Sequence, residues 1–347
     1  LIRYDTTTDY SAYVVAFWDI KKGIYDGWFE IGFVQFNKLF TFSKWGFVPM
    51  LMVSLFIPYN QIYKVLKREK ILVIGSFVFL TLGYFIRFEN IVRQGISMGI
   101  FYYALNYSIE KKTLKYVICA LIAILFHTSS IVLIPYYFFI RFFINRKINT
   151  YFWGAVMLTF YIMYLYDFSG IILNFLISKI PILKEFTLEF VLSEKTLGLT
   201  LLFKLFIAWL PSYVLKDYDN NQFINLSINL SVVSAFLSLL LIDIIVLNRI
   251  VEYLLIFQLV AISVMIKKLL VFRKFNLSHL IPVVCVCVLM AHHSRNVDSY
   301  YKEYDYQSIF GSNFINNIFY KRYHRWELVN FDNDDNAYRD TKIKISY

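Results

Sequence analysis

Residues 116–140 read YVICALIAILFHTSSIVLIPYYFFI, and how this stretch crosses or re-enters an apolar phase decides the fold. Lys111, Lys112 and Lys115 stand on one side of it, and Arg141, Arg146 and Lys147 on the other. A single helix of this length would reach ~37 Å and span a bilayer, but it would leave one basic flank on each side. Short basic loops favour the cytoplasmic face. Phe126-His127-Thr128-Ser129-Ser130 interrupts the apolar run at its middle. The stretch is therefore expected to be a bent, re-entrant hairpin with His127 near its outer tip, a geometry tolerated where backbone lines a protein cavity.

Working outward, the same alternation of apolar block and basic loop covers most of the chain. Apolar segments are expected at about 47–63, 71–86, up to Asn106, 151–166, 198–215, 223–246, 253–266 and 279–291. The basic loops at 64–70, 111–115, 141–147 and 267–274 go to the cytoplasmic side. Residues 1–46 then form an external loop with an interfacial helix, 167–197 a larger external loop, and 292–347 a polar C-terminal tail. The expected fold is all-α: a polytopic transmembrane helical bundle of about nine to eleven membrane segments in one domain, 1–291. The chain opens on Leu1 without a signal peptide, so the native N-terminus is expected to lie upstream of this sequence.

Composition agrees. Of the 347 residues 59% are hydrophobic and 17% charged, against ~25% charged in a typical soluble domain. The net charge of +11 is held in the loops, where topology wants it, so nucleic acid is not an expected partner. Cys119, Cys285 and Cys287 lie inside apolar blocks without the spacing of a disulfide framework or zinc site, and no metal or cofactor is expected. Neither a phosphate-binding lysine loop nor a nucleophile elbow occurs.

Charged side chains at the edges of apolar spans are costly and need a reason: an arginine at the bilayer centre costs ~2.5–3.5 kcal/mol. Arg3 with Asp5, Arg93 with Gln94, His127, and Arg249 with Glu252 all fall on the outer side under this topology. Each also has a plainer reading. Arg93 snorkels to head groups, Arg249 and Glu252 form a surface ion pair three residues apart, and His127 is a hydrogen-bonded core residue.

Taken in order, these residues resemble the EpsG/Wzy-like family of membrane polysaccharide polymerases. The resemblance is carried by Arg3-Tyr4-Asp5 with Asp9-Tyr10, by Asn90-Ile91-Val92-Arg93-Gln94-Gly95-Ile96, by Phe126-His127-Thr128-Ser129-Ser130, and by Asn248-Arg249-Ile250 with Tyr253. Asp26-Gly27-Trp28-Phe29-Glu30-Ile31-Gly32-Phe33 resembles the family's Glu-x-Gly-Phe stretch, with Gly27 and Glu30 in swapped order. The family's usual membrane helix before the first external loop is not in this sequence.

The resemblance implies a glycosyltransferase of the bacterial cytoplasmic (inner) membrane. It would polymerise undecaprenyl-diphosphate-linked oligosaccharide into O-antigen, capsule or exopolysaccharide, beside membrane lipid and with chain-length regulator and flippase proteins as partners. His127, Arg93 and Arg249 would be catalytic; Arg3, Asp5, Gln94, Asn90 and Tyr253 would bind substrate. Arginine forks suit a leaving diphosphate, and a histidine suits the acceptor hydroxyl. Two rival readings, a lipid-linked oligosaccharide flippase or transporter and a membrane acyltransferase acting on polysaccharide, remain open on the residues alone.

Overall fold

A computed structural model of the chain describes residues 3–4, 10–27, 29–43, 46–166, 198–216, 221–240, 245–271, 307–308, 320–321 and 329–330. Asp5, the 167–197 loop, the 279–291 segment and nearly all of the 292–347 tail lie outside the described residues. The described chain is helical: α1 (Tyr10–Lys22), α2 (Ile31–Lys38), α3 (Phe47–Arg68), α4 (Leu72–Thr81), α5 (Tyr84–Asn90), α6 (Val92–Ile109), α7 (Thr113–Phe126), a 3-10 turn (Thr128–Val132), α8 (Leu133–Phe143), α9 (Thr150–Leu165), α10 (Gly198–Val214), α11 (Gln222–Leu240), α12 (Ile245–Glu252) and α13 (Leu255–Val271). Two antiparallel pairings of two residues each accompany the helices: Arg3–Tyr4 with Gln307–Ser308, and Tyr320–Lys321 with Val329–Asn330.

The 116–140 stretch doubles back at its middle. α7 stops because His127 leaves the helical region for an extended backbone, φ −158° and ψ 122°. Thr128, Ser129 and Ser130 follow in a tight turn, where short hydroxyl side chains compete well with helix. Pro135 sits in the first turn of α8, where its missing N–H has no helical partner to lose. The return path is fixed by contacts between the start of α7 and the body of α8. The Thr113 and Tyr137 hydroxyls are 2.5 Å apart, the Tyr116 and Tyr137 rings 5.1 Å apart, and the Tyr116 hydroxyl donates to the Leu133 carbonyl at 2.7 Å.

Two expectations change. The segment expected at 71–86 is two helices, because Gly83 takes the left-handed region at φ +70° between α4 and α5. Residues 1–46 are more than a loop with one interfacial helix. α1 and α2 both dock on the bundle, burying Tyr13, Val14, Phe17 and Phe33 against Phe47, Met50, Val92 and Ile96.

The helices run between two ends of the bundle. At one end the basic loops are tied together. Arg68 donates to Asn106, Asn221 to Glu69, Lys267 to the Lys70 carbonyl, Lys268 to the Val214 carbonyl and Asn229 to the Arg146 carbonyl. At the other end lie Glu30, Arg93, His127 and Arg249. Between them runs a core through α6, α11 and α13 with Phe101, Tyr102, Tyr253 and Phe257 fully buried.

The outside of the bundle is also apolar. Val73, Leu114, Leu121, Phe138, Phe152 and Leu158 are exposed, the reverse of what water-facing helices need. Buried serines at 54, 227 and 263 return their hydroxyls to the carbonyl four residues earlier, which satisfies them without water. By length and composition one described helix, at Gln222–Leu239, suffices to cross a membrane, with mean hydropathy 1.5; five more apolar helical stretches are shorter. The break at His127 falls where the hairpin was expected, whereas the break at Gly83 interrupts a segment expected to be continuous.

Candidate functional site

Three chain breaks build the site. Glu30 is the N-cap of α2, in extended backbone at φ −60° and ψ 145°, so its side chain stands clear of the helix. Arg93 is the second residue of α6, just past the kink at Ile91. His127 is the residue at which α7 ends. The three side chains meet, each under a tenth exposed.

Glu30 is the hub. Arg93 Nη1 donates to Glu30 Oε2 at 2.5 Å. His127 Nδ1 lies 3.0 Å from Glu30 Oε1, and the Thr128 backbone N–H donates to the same oxygen at 3.0 Å. The Arg93 guanidinium also sits 4.2 Å above the ring of Phe29. Burial alone would raise the Glu30 carboxyl. The hydrogen bond from His127, the charge of Arg93 and the Thr128 amide outweigh it and hold the group at about 2. A carboxylate on Nδ1 fixes the imidazole tautomer with its proton on Nδ1, leaving Nε2 as the lone-pair nitrogen. His127 Nε2 is buried and has no hydrogen-bond partner among the described residues.

The turn carrying His127 is braced from below. The Tyr253 hydroxyl is 2.7 Å from Ser130 Oγ and 3.2 Å from Ser129 Oγ. Ser97 donates to the Ala123 carbonyl at 2.9 Å and so pins α6 to the last turn of α7. α2 reaches α7 at Gly32. A Cβ there would lie 2.5 Å from the Leu125 carbonyl oxygen, so only glycine permits this approach two residues before His127.

A second polar group adjoins the first. Gln94 Nε2 donates to the Arg249 carbonyl at 2.6 Å, joining α6 to α12. Arg249 is half-buried, and its charge acts on both His127 and Glu252. Its guanidinium has no hydrogen bond or ion pair with any described residue. Glu252 instead faces Arg87, whose Nε is 3.8 Å away, so the expected pairing of Glu252 with Arg249 is replaced by one across helices. Burial pushes the Glu252 carboxyl up, opposed by Arg87 and Arg249. Asn90 Oδ1, Gln94 Oε1 and Glu252 Oε2 are buried acceptors without donors among the described residues.

The structure thus brings together Arg93, His127, Gln94, Arg249 and Tyr253, with Asn90 at the end of α5, across the kink at Ile91 from Gln94. Tyr253 is fully buried and reaches the site through the Ser129 and Ser130 hydroxyls. Arg3 enters the described structure only as backbone, paired with Ser308, and Asp5 lies outside the described residues. Among the described residues no three His, Cys, Asp or Glu side chains come together as metal ligands.

The residue the sequence reading passed over is Glu30. Its signal was present, because Glu30-Ile31-Gly32-Phe33 is itself Glu-x-Gly-Phe; the earlier Gly27 misled the alignment of that stretch. Ser129 and Ser130 lay inside the 126–130 motif without being given a role, and Arg87 had no motif to mark it.

Comparison with known proteins gives one finding: the model of the EpsG family matches residues 2–308. No curated protein and no solved structure matches the chain.

Proposed function

Since the chain belongs to the EpsG family, whose members are membrane-associated proteins of polysaccharide polymerisation, we propose that it joins undecaprenyl-diphosphate-linked oligosaccharide repeat units into surface polysaccharide at the outer face of the bacterial cytoplasmic membrane. The basic loops would face the cytoplasm and the Glu30–Arg93–His127 end the outside, in a multi-pass arrangement. The observation that carries the reading is the Glu30 carboxylate holding both Arg93 and His127 Nδ1, with His127 Nε2 unpartnered among the described residues.

In this mechanism the acceptor hydroxyl of one repeat unit donates its proton to His127 Nε2 while its oxygen attacks the anomeric carbon of the donor glycan. The bond between that carbon and the donor phosphate oxygen breaks, and undecaprenyl diphosphate leaves with the electron pair. Glu30 stabilises the imidazolium that forms, as a carboxylate bonded to the far ring nitrogen does. Arg249, without a carboxylate partner among the described residues, supplies the fork for the leaving diphosphate. Arg93 adds positive charge beside it and fixes Glu30. Asn90 and Gln94 offer acceptor oxygens that match sugar hydroxyls. Breaking the activated glycosyl phosphate drives the step, so no nucleotide is required. Chain-length regulator and flippase proteins are the partners that such a step calls for.

The test is a gel of surface polysaccharide from a deletion strain and from a His127→Ala strain. Both are expected to show one repeat unit in place of the ladder, since loss of a positioned proton acceptor costs ~10²–10⁴ in rate. Loss of every band on deletion would identify a flippase, and an unchanged ladder on deletion would refute polymerisation. An unchanged repeat-unit ladder with altered acylation would identify an acyltransferase.

A further inference from the structure

At the basic end of the bundle, opposite the Glu30 site, a cavity of about 350 Å³ opens between the α8–α9 loop, the end of α10 and the start of α11. Twelve described residues line it; of these Arg146, Lys147 and Lys216 are positive and none is negative. None of the three cations pairs with a carboxylate among the described residues. Asp217 and Asp219 follow Lys216 in sequence and lie outside the described residues. The cavity wall holds a second and independent signal. Ser212 is 4% exposed, and its hydroxyl oxygen has no hydrogen-bond partner among the described residues. The N-terminus of α9 opens on the same space and adds partial positive charge.

We infer that this cavity binds the phosphate headgroup of an acidic phospholipid. The chemistry selects an anion with oxygen acceptors, because three cations and a helix N-terminus line it, with Ser212 in its wall. The surroundings select a lipid over a free ion. Tyr151, on the cavity lining, is 73% exposed, and Phe142, Phe152 and Tyr213 beside it present large apolar surfaces outward. The Arg146 guanidinium stacks 3.8 Å over the Phe142 ring, which holds a phosphate-binding group at the boundary between charged loop and apolar flank. An acyl chain leaving the cavity therefore meets apolar side chains of α8, α9 and α10. Basic pockets between helices on the cytoplasmic side of membrane proteins hold acidic headgroups by the same physics.

The experiment uses the full chain purified in neutral detergent and exposed to phosphatidylcholine vesicles containing phosphatidylglycerol or cardiolipin, with bound lipid counted by native mass spectrometry. Each cation near a headgroup contributes about fivefold in affinity, so replacing Arg146, Lys147 and Lys216 together by Ala is expected to weaken acidic-lipid binding roughly 100-fold. Ser212→Ala, which leaves the charges in place, is expected to weaken it a fewfold. The control replaces Lys64, Lys67 and Lys111, an equal charge at the same end but outside the cavity, and is expected to cost about fivefold or less. Equal losses in the two triple variants would reduce the effect to diffuse surface charge and overturn the site. Inorganic phosphate that displaces the lipid from the wild-type chain at similar concentration would overturn the lipid assignment in favour of a free anion. Thermal melting of every variant separates loss of binding from loss of fold.

Discussion

Glu30→Gln is the perturbation that bears most directly on the site, because it keeps shape and removes charge. In the wild-type chain one carboxylate accepts from Arg93 at 2.5 Å, from His127 at 3.0 Å and from the Thr128 amide at 3.0 Å. Hydrogen bonds to a charged group contribute ~1.5–3 kcal/mol each, roughly twice a neutral one. The glutamine oxygen can still accept from His127 and Thr128, but its amide nitrogen then faces Arg93, donor against donor. The buried arginine loses this counter-charge, a loss that costs up to ~3–5 kcal/mol for a buried pair. Local relaxation and the interactions that Arg93 keeps lower this, and a stability loss of ~1–3 kcal/mol is expected. The larger effect falls on rate. The imidazolium formed during proton transfer loses the carboxylate that stabilises it, and second-layer carboxylates of this kind are worth ~10–100-fold. Polymerisation is therefore expected to fall ~10²-fold with protein level largely kept, while Glu30→Ala is expected to lose the fold as well. Glu30→Asp, one methylene short, cannot reach both partners and should fall between. The assay is the rate of chain growth on purified lipid-linked repeat units, alongside thermal melting. Glu30→Gln running at wild-type rate would refute the orientation of His127 by Glu30 and the mechanism built on it.

Acidification gives a linked expectation: the Glu30 carboxyl sits at about 2 in the folded chain against an ordinary 4.5, so its contribution is full above about 4.5 and is lost as pH falls toward about 2. The melting difference between wild type and Glu30→Gln should accordingly shrink as pH falls below about 4.5; a constant difference would refute the shift. Arg249→Lys is expected to damage chain growth nearly as much as Arg249→Ala, because an ammonium cannot form the fork; full activity in the lysine variant would point to a simple head-group contact. Gly32→Ala places a methyl 2.5 Å from the Leu125 carbonyl, so α2 must move away from α7, with an expected loss of ~1–3 kcal/mol in stability and a Glu30-like loss of rate. Reporter fusions at Lys67, Lys112, Arg146 and Lys268 are expected to read cytoplasmic and one at Lys184 external; an external signal at Arg146 would overturn the hairpin's orientation.

The sequence by itself determined what depends on neighbours along the chain. Apolar blocks between basic loops dictated helices in an apolar phase, and the polar interruption at His127 between two basic flanks dictated the turn. Both are local consequences of backbone hydrogen bonding, which is why the hairpin was legible. Gly83 was also visible, yet its left-handed backbone splits one expected span into α4 and α5, a choice that composition does not make. The tertiary structure alone decided who partners whom. Glu30 and His127 are 97 residues apart, Glu30 and Arg93 are 63 apart, and Tyr253 meets Ser130 across 123. A carboxylate on an N-terminal helix carries no local mark of the histidine it will orient; only the packing of α2 on α7, permitted by a missing side chain at Gly32, brings the two within hydrogen-bonding distance.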